Sequence, residues 1–199
     1  MKIYLNDRIV HLRKEQPAGN DYHQVDNLKE LTILYKAFEA DPTHKRLVLY
    51  GADYRLLKQD FFSLFHRVTA AGGLVRNEFG EILFIFRRGH WDLPKGKLNR
   101  KQNGIEESAE AAVREVKEET GLTNVEVVGR MTKTYHIFFE KRERWLKKTW
   151  WYEMRAPKDQ PLIPQTEEDI TEVRWIAPSD LEEVHKLLYP SLEKLLNKI

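Results

Sequence analysis

Glu115, Glu118 and Glu119 stand at i, i+3 and i+4 in the segment EESAEAAVREVKEETGL, a spacing that sets three carboxylates on one face of a helix. Such a face repels itself. Glu118 and Glu119 also fall in the last helical turn, where the helix dipole disfavours negative charge by about 0.3–1 kcal/mol each. Local rules are broken in this way at functional sites, and the natural neutraliser for clustered carboxylates is a hard divalent cation such as Mg²⁺, which prefers oxygen ligands. Arg114, one turn before Glu118, is placed to brace it, while Ala109, Ala112, Val113 and Val116 form an opposite face that can pack on a sheet. The bland alternative is a solvated acidic face braced by Arg114 and Lys117.

The elements that must position this helix are legible in outline. Ile3, Leu5, Ile9, Val10 and Leu12 suggest a hairpin, and Leu28, Leu31, Leu34, Tyr35 and Phe38 recur at helical spacing behind an Asn27/Glu30 capping box. Arg46–Tyr50 reads as a strand, and Leu57, Phe61, Leu64, Phe65 and Val68 as one face of a second helix. From Thr69 the texture changes to two strands around an Asn/Gly turn, then the Pro/Gly loop WDLPKGK, then the acidic helix over about 107–119 with Gly121 at its left-handed C-cap. Val125–Val128, KTYHIFFE, KTWWYEMRA and TEVRWI read as further strands. Ser179 and Glu182 form a capping box for a penultimate helix, and Pro190–Ser191 starts a last one. Strands mixed with a few helices give an α/β (α+β) class, a mixed sheet sandwiched between helices, in two parts: an α/β extension over 1–66 and a domain over 67–199.

Composition narrows the chemistry. The absence of cysteine excludes disulfide scaffolds, thiolate metal sites and a cysteine nucleophile, and 33 basic against 31 acidic residues leave no global charge excess to announce nucleic acid or a membrane surface. The charged opening segment and the lack of any 18-residue apolar run point to a cytoplasmic protein without membrane attachment.

Glu106, Arg114, Glu115, Val116, Glu118, Glu119, Gly121 and Leu122 match E-x7-R-E-U-x-E-E-x-G-U, where U is aliphatic. The segment resembles the Nudix box, the signature of the Nudix hydrolase family. The family's leading glycine corresponds to Gly96, with four extra residues before Glu106 in the NRKQN stretch. The resemblance covers roughly residues 67–180 and leaves 1–66 unmatched. It implies a mixed sheet between helices, hydrolysis of a nucleoside diphosphate linked to another group or of a related polyphosphate, and Mg²⁺ or Mn²⁺ on Glu115, Glu118 and Glu119. The base is a box glutamate or an acid of a later loop, where PQTEEDI offers Glu167, Glu168 and Asp169; Glu168 is favoured.

Arg87, Arg88, Lys95, Lys97, Arg100 and Lys101 surround the Pro/Gly loop and would form a basic wall for phosphates, with Gly96 at its centre and Trp91 free to stack on a base or on the loop. The W-x-L-P-K-G-K form looks like Nudix enzymes acting on dinucleoside polyphosphates or inositol pyrophosphates. KRERWLKK at 141–148 reads as a charged hairpin connection able to reach over the cleft, and one of Trp150, Trp151 and Tyr152 as core with another lining the pocket. The leading function is a metal-dependent pyrophosphohydrolase with a small phosphorylated substrate. A nucleotide-binding sensor and an RNA-processing protein are the alternatives; nucleic acid is not the expected partner, and the N-terminal extension is a candidate dimer interface.

Overall fold

The computed structural model describes residues 1–102 and 104–196, the side chain of Lys194 aside; Asn103 of the expected insertion lies outside the described residues. In chain order the elements are β1 (Lys2–Leu5), β2 (Arg8–Arg13), β3 (His23–Gln24), α1 (Leu28–Ala40), β4 (Arg46–Tyr50), α2 (Tyr54–Ser63), β5 (His66–Arg76), β6 (Ile82–Arg87), β7 (His90–Asp92), β8 (Lys95–Lys97), β9 (Arg100–Lys101), β10 (Gly104–Ile105), α3 (Ser108–Thr120), β11 (Glu126–Glu140), β12 (Glu143–Arg155), β13 (Ile170–Ile176), α4 (Leu181–His185) and α5 (Pro190–Leu196). They form two compact units, Met1–Val68 with Tyr135–Lys147 and Thr69–Thr134 with Lys148–Ile199. A linear division at residue 66 does not contain the hairpin tip, Tyr135–Lys147, which belongs with the N-terminal segment.

In the first unit β1 and β2 form a tight hairpin, β2 pairs in parallel with β4, and β4 in parallel with β3. Parallel neighbours need a crossover, and α1 supplies it. Asn27 accepts the Glu30 N–H at 3.0 Å, while the Glu30 carboxylate reaches back to the N–H of Asp26 at 3.1 Å. Leu31, Tyr35 and Phe38 of α1 and Leu57 and Phe61 of α2 bury against Ile3, Leu5, Val10, Leu12 and Leu49. The second helix stops at Ser63, short of the periodic pattern: Phe65 is buried from the connection, and Val68 is half-buried in β5.

In the second unit the strand order is β13-β6-β5-β12-β11, with β7 on β6 and β8 on β5. Alternation divides its apolar residues between two faces. Leu74, Phe84 and Trp151 pack with Val184, Leu188, Leu192 and Leu195 of the C-terminal helices, whereas Val75, Leu83, Tyr152 and Met154 pack with Ala111, Ala112 and Val116 of α3. The sheet is thus sandwiched between helices. The valine strand and KTYHIFFE are one strand, β11, and the charged connection shrinks to a turn at Lys141–Arg142, whose φ values of 51° and 67° suit a two-residue hairpin turn. The rest of KRERWLKK is β12, where Leu146 takes a core position between half-buried neighbours. The expected Ser179/Glu182 capping box does not form: Ser179 Oγ donates to Asp180 at 2.9 Å, and α4 begins only at Leu181.

Candidate active site

The acidic helix and every candidate residue around it belong to the second unit. α3 spans Ser108–Thr120 and ends on Gly121, whose φ of 78° a side chain would strain and whose N–H closes on the Lys117 carbonyl.

Arg114 organises the carboxylates. Its Nε donates to Glu106 Oε1 at 3.0 Å, Nη1 to both Glu115 Oε1 and Glu118 Oε2 at 2.8 Å, and Nη2 to Glu106 Oε2 at 2.9 Å and to the Lys97 carbonyl at 3.0 Å. Every guanidinium donor is therefore used, which fixes the Lys97 end of the Pro/Gly loop to α3. Glu106 holds the guanidinium above its ordinary pKa, and Arg114 in turn holds the Glu106 carboxyl below the usual range.

The four-residue insertion leaves this clamp intact. The Asn99 N–H donates to the Glu106 carboxylate at 3.0 Å and the Glu106 N–H to the Asn99 carbonyl at 3.0 Å, so the chain between them leaves and returns at one point. There β9 and β10 pair as a miniature hairpin.

Gly96 lies directly against the Glu115 carboxylate. A Cβ at that position would stand 2.1 Å from Glu115 Oε2, so a side chain there would push this carboxylate from its place against Arg114. Burial pushes the Glu115 carboxyl up; Arg114 pulls it down, and Glu118 and Glu168 add further upward pressure. Glu168 thus acts on Glu115 from the turn Thr166–Glu168. Its neighbour Asp169, at φ 59°, accepts from Arg88 Nε at 2.9 Å and Nη2 at 2.8 Å, which ties that turn to the β6–β7 connection.

Glu119 is placed differently. It is buried beneath the loop, accepts the Lys95 N–H at 2.7 Å, and lies 3.6 Å from Arg87 Nη1. Burial pushes its carboxyl up to about 7 against the pull of Lys95 and Arg87. The Lys95 ammonium is itself buried and paired with Asp92 at 2.7 Å. Lys95 therefore serves the loop's interior, while Lys97 is exposed. Among the described residues no three acidic or histidine side chains already converge on one ligating point. Even so, the donor set suits a hard cation: Glu115 and Glu118 both meet one positive group, Glu119 anchors the adjoining loop, and the cradle at Gly96 faces the Glu115 carboxylate.

Trp91 corrects the sequence expectation. It is 7% exposed, packs edge-on against Phe86 and Phe84, and carries Arg174 5.1 Å from its ring centre, so its faces are already taken. Of the aromatic trio, Trp151 is core and donates its indole N–H to Thr134 at 2.9 Å. Trp150, on the α3 side, draws Arg130, Lys133 and Lys148 to within 5.0, 5.0 and 4.9 Å of its ring centre. Sequence spacing does not reveal this cationic cluster, because it arises across two strands. Along α3, beside Arg114 and Glu118, runs a groove of about 670 Å³ floored by Ala109, Val113 and Val127.

A family model described as the NUDIX domain matches residues 66–198. No curated protein sequence matches the chain significantly. Similar solved structures include the MutT protein from Methanosarcina mazei Go1, 23% identical over 67% of this chain and 93% of that one with a TM-score of 0.45. Others are a C. elegans Ap4A hydrolase binary complex, 24% identical over 66% and 93% with a TM-score of 0.46, and a NUDIX hydrolase from Nitrosomonas europaea, 16% identical over 66% and 87% with a TM-score of 0.49.

Proposed function

The chain belongs to the Nudix family and is a hydrolase of phosphoanhydride bonds, and from that premise we propose that it cleaves a dinucleoside polyphosphate with the help of Mg²⁺ or Mn²⁺. The observation that carries this reading is the Arg114 clamp, which gathers Glu106, Glu115, Glu118 and the Lys97 carbonyl around one guanidinium. Residues 67–199 carry the activity in this proposal, with residues 1–66 as an extension, and the protein works in the cytoplasm. Among the described residues no helix is long and apolar enough to cross a membrane.

Glu115, Glu118 and Glu119 hold the ion. When bound, a divalent cation neutralises phosphate oxygens and lowers the pKa of water. The chain's own residues do the rest. Arg114 keeps the glutamates oriented, Glu119 fixes the loop through the Lys95 N–H, and Arg87 with the exposed Lys97 offers positive charge to the phosphates. Glu168 takes the proton of the attacking water as the new P–O bond forms; the bridging P–O bond breaks and its oxygen leaves with the departing phosphate. Arg88 positions Glu168 indirectly, by holding Asp169. The apolar floor of the groove along α3 favours a nucleoside over an inositol, whose ring is hydroxylated or phosphorylated all round.

The test is product release with Mg²⁺ across dinucleoside polyphosphates, inositol pyrophosphates, nucleotide sugars and oxidised nucleoside triphosphates, with Glu118→Gln as the blank. Preferential turnover of the dinucleoside series is expected. Preference for inositol pyrophosphates would overturn the substrate reading, and silence with every compound would overturn the catalytic one.

A further inference from the structure

One face of α2 is chemically unlike the rest of the first unit. Arg55, Lys58, Gln59, Phe62 and Ser63 follow i, i+3, i+4, i+7 and i+8, so they form one stripe, while Leu57 and Phe61 bury on the opposite side. With Arg67 at the start of β5 they line a concavity of about 650 Å³. Three of these side chains are cations, and among the described residues none of the three makes an ion pair. The acid whose charge reaches Arg55 is Asp53, and its carboxylate is occupied at the helix N-cap by the N–H groups of Arg55 at 2.8 Å and Leu56 at 3.1 Å. Asp60, the acid within α2, falls outside the stripe. Lys58 instead rests over Phe62, 5.4 Å from its ring centre, and Phe62 leans on Tyr135 at 5.6 Å.

Like charges at i, i+3 cost a helix stability when nothing neutralises them. We propose that this groove binds a compact phosphate-bearing anion. Two arginines supply planar forks that match phosphate oxygens, Lys58 adds a point charge, and Gln59 offers a neutral donor. The size of the concavity suits a small ligand. Phe62 already has Lys58 on its ring and Tyr135 beside it, so stacking platforms for successive bases of a nucleic acid are not provided. The site uses no residue of the hydrolytic centre and stands independently of it.

The experiment titrates inorganic tripolyphosphate into the isotope-labelled full chain with EDTA present and ionic strength held constant with NaCl, reading backbone amide shifts. Saturable shifts in residues 55–67 are expected. The Lys58→Gln/Arg67→Gln double variant should bind about tenfold or more weakly while keeping the wild-type Tm. Shifts that never saturate, shifts confined to residues 87–97, or variant binding within about twofold of wild type would overturn the proposal. A single-stranded oligonucleotide of matched charge is the second arm: weaker binding than tripolyphosphate supports a small-anion site, and tighter binding overturns it.

Discussion

Glu39 and Glu119 are each the penultimate residue of a thirteen-residue helix, α1 in the first unit and α3 in the second, and both side chains are largely buried. Burial pushes each carboxyl up. For Glu39 that push is outweighed by Arg144, which grips both carboxylate oxygens from β12, and the group ends below its ordinary value. For Glu119 the charges of Lys95 and Arg87 do not outweigh it, and the group ends near 7. Nearby, one arginine serves three further glutamates. A structural acid is matched with its own cation, whereas the acids of a reactive centre outnumber theirs, which leaves capacity for a charge that arrives with the ligand.

The contrast can be broken by substitution. Glu118→Gln should leave folding intact and lower turnover at least about a hundredfold, since disturbing even the outer partners of a metal ligand costs 10–100-fold; steady-state rates beside a circular-dichroism melt check it. Lys95→Met leaves Asp92 buried without its cation and should cost about 3–5 kcal/mol in urea unfolding. Retained stability there would mean that the Lys95–Asp92 pair is not structural. Arg144→Met in the first unit should cost about 1–2 kcal/mol, discounted because Arg144 is 37% exposed, with kcat unchanged. A fall in kcat of the same variant would erase the proposed division of labour.

The most gradual effect is the slope of stability against pH in metal-free protein. Glu119 has a folded value of about 7 above its ordinary 4.5, so the folded state holds a proton that the unfolded state has lost. Stability should fall between about pH 5 and 7 by at most about 1.4 kcal/mol per unit, and Glu119→Gln should flatten that slope. Glu106, depressed by Arg114, has the opposite sign: its contribution is present above pH 4.5 and lost as pH falls through its folded value. Urea midpoints of the wild type and Glu119→Gln, followed from below pH 4.5 up to about pH 7, separate the two.

Much of α3 was legible because its information is local: the carboxylate spacing, the apolar stripe and Gly121 all lie within a few turns. The limits of α2 were less so, since Leu64 and Phe65 continue an apolar rhythm after the helix has ended, and burial rather than hydrogen bonding set that rhythm. The two long hairpin strands are not visible whole in the sequence for a related reason: their exposed lengths carry polar residues that resemble a connection.

Around the site, residue types were readable and directions were not. Lys95, Lys97, Arg87 and Arg88 look equivalent in the sequence, yet Lys95 turns to Asp92, Arg87 to Glu119 and Arg88 to Asp169, while Lys97 lends Arg114 its carbonyl. By itself the sequence determined the acidic helix, its end and the chemistry its carboxylates can support, because helical periodicity ties those positions together at short range. Only the tertiary structure decided which cation meets which acid, that Trp91 is core, and that the inserted residues close on Asn99 and Glu106, because those outcomes depend on side chains brought together from strands and loops far apart in the chain.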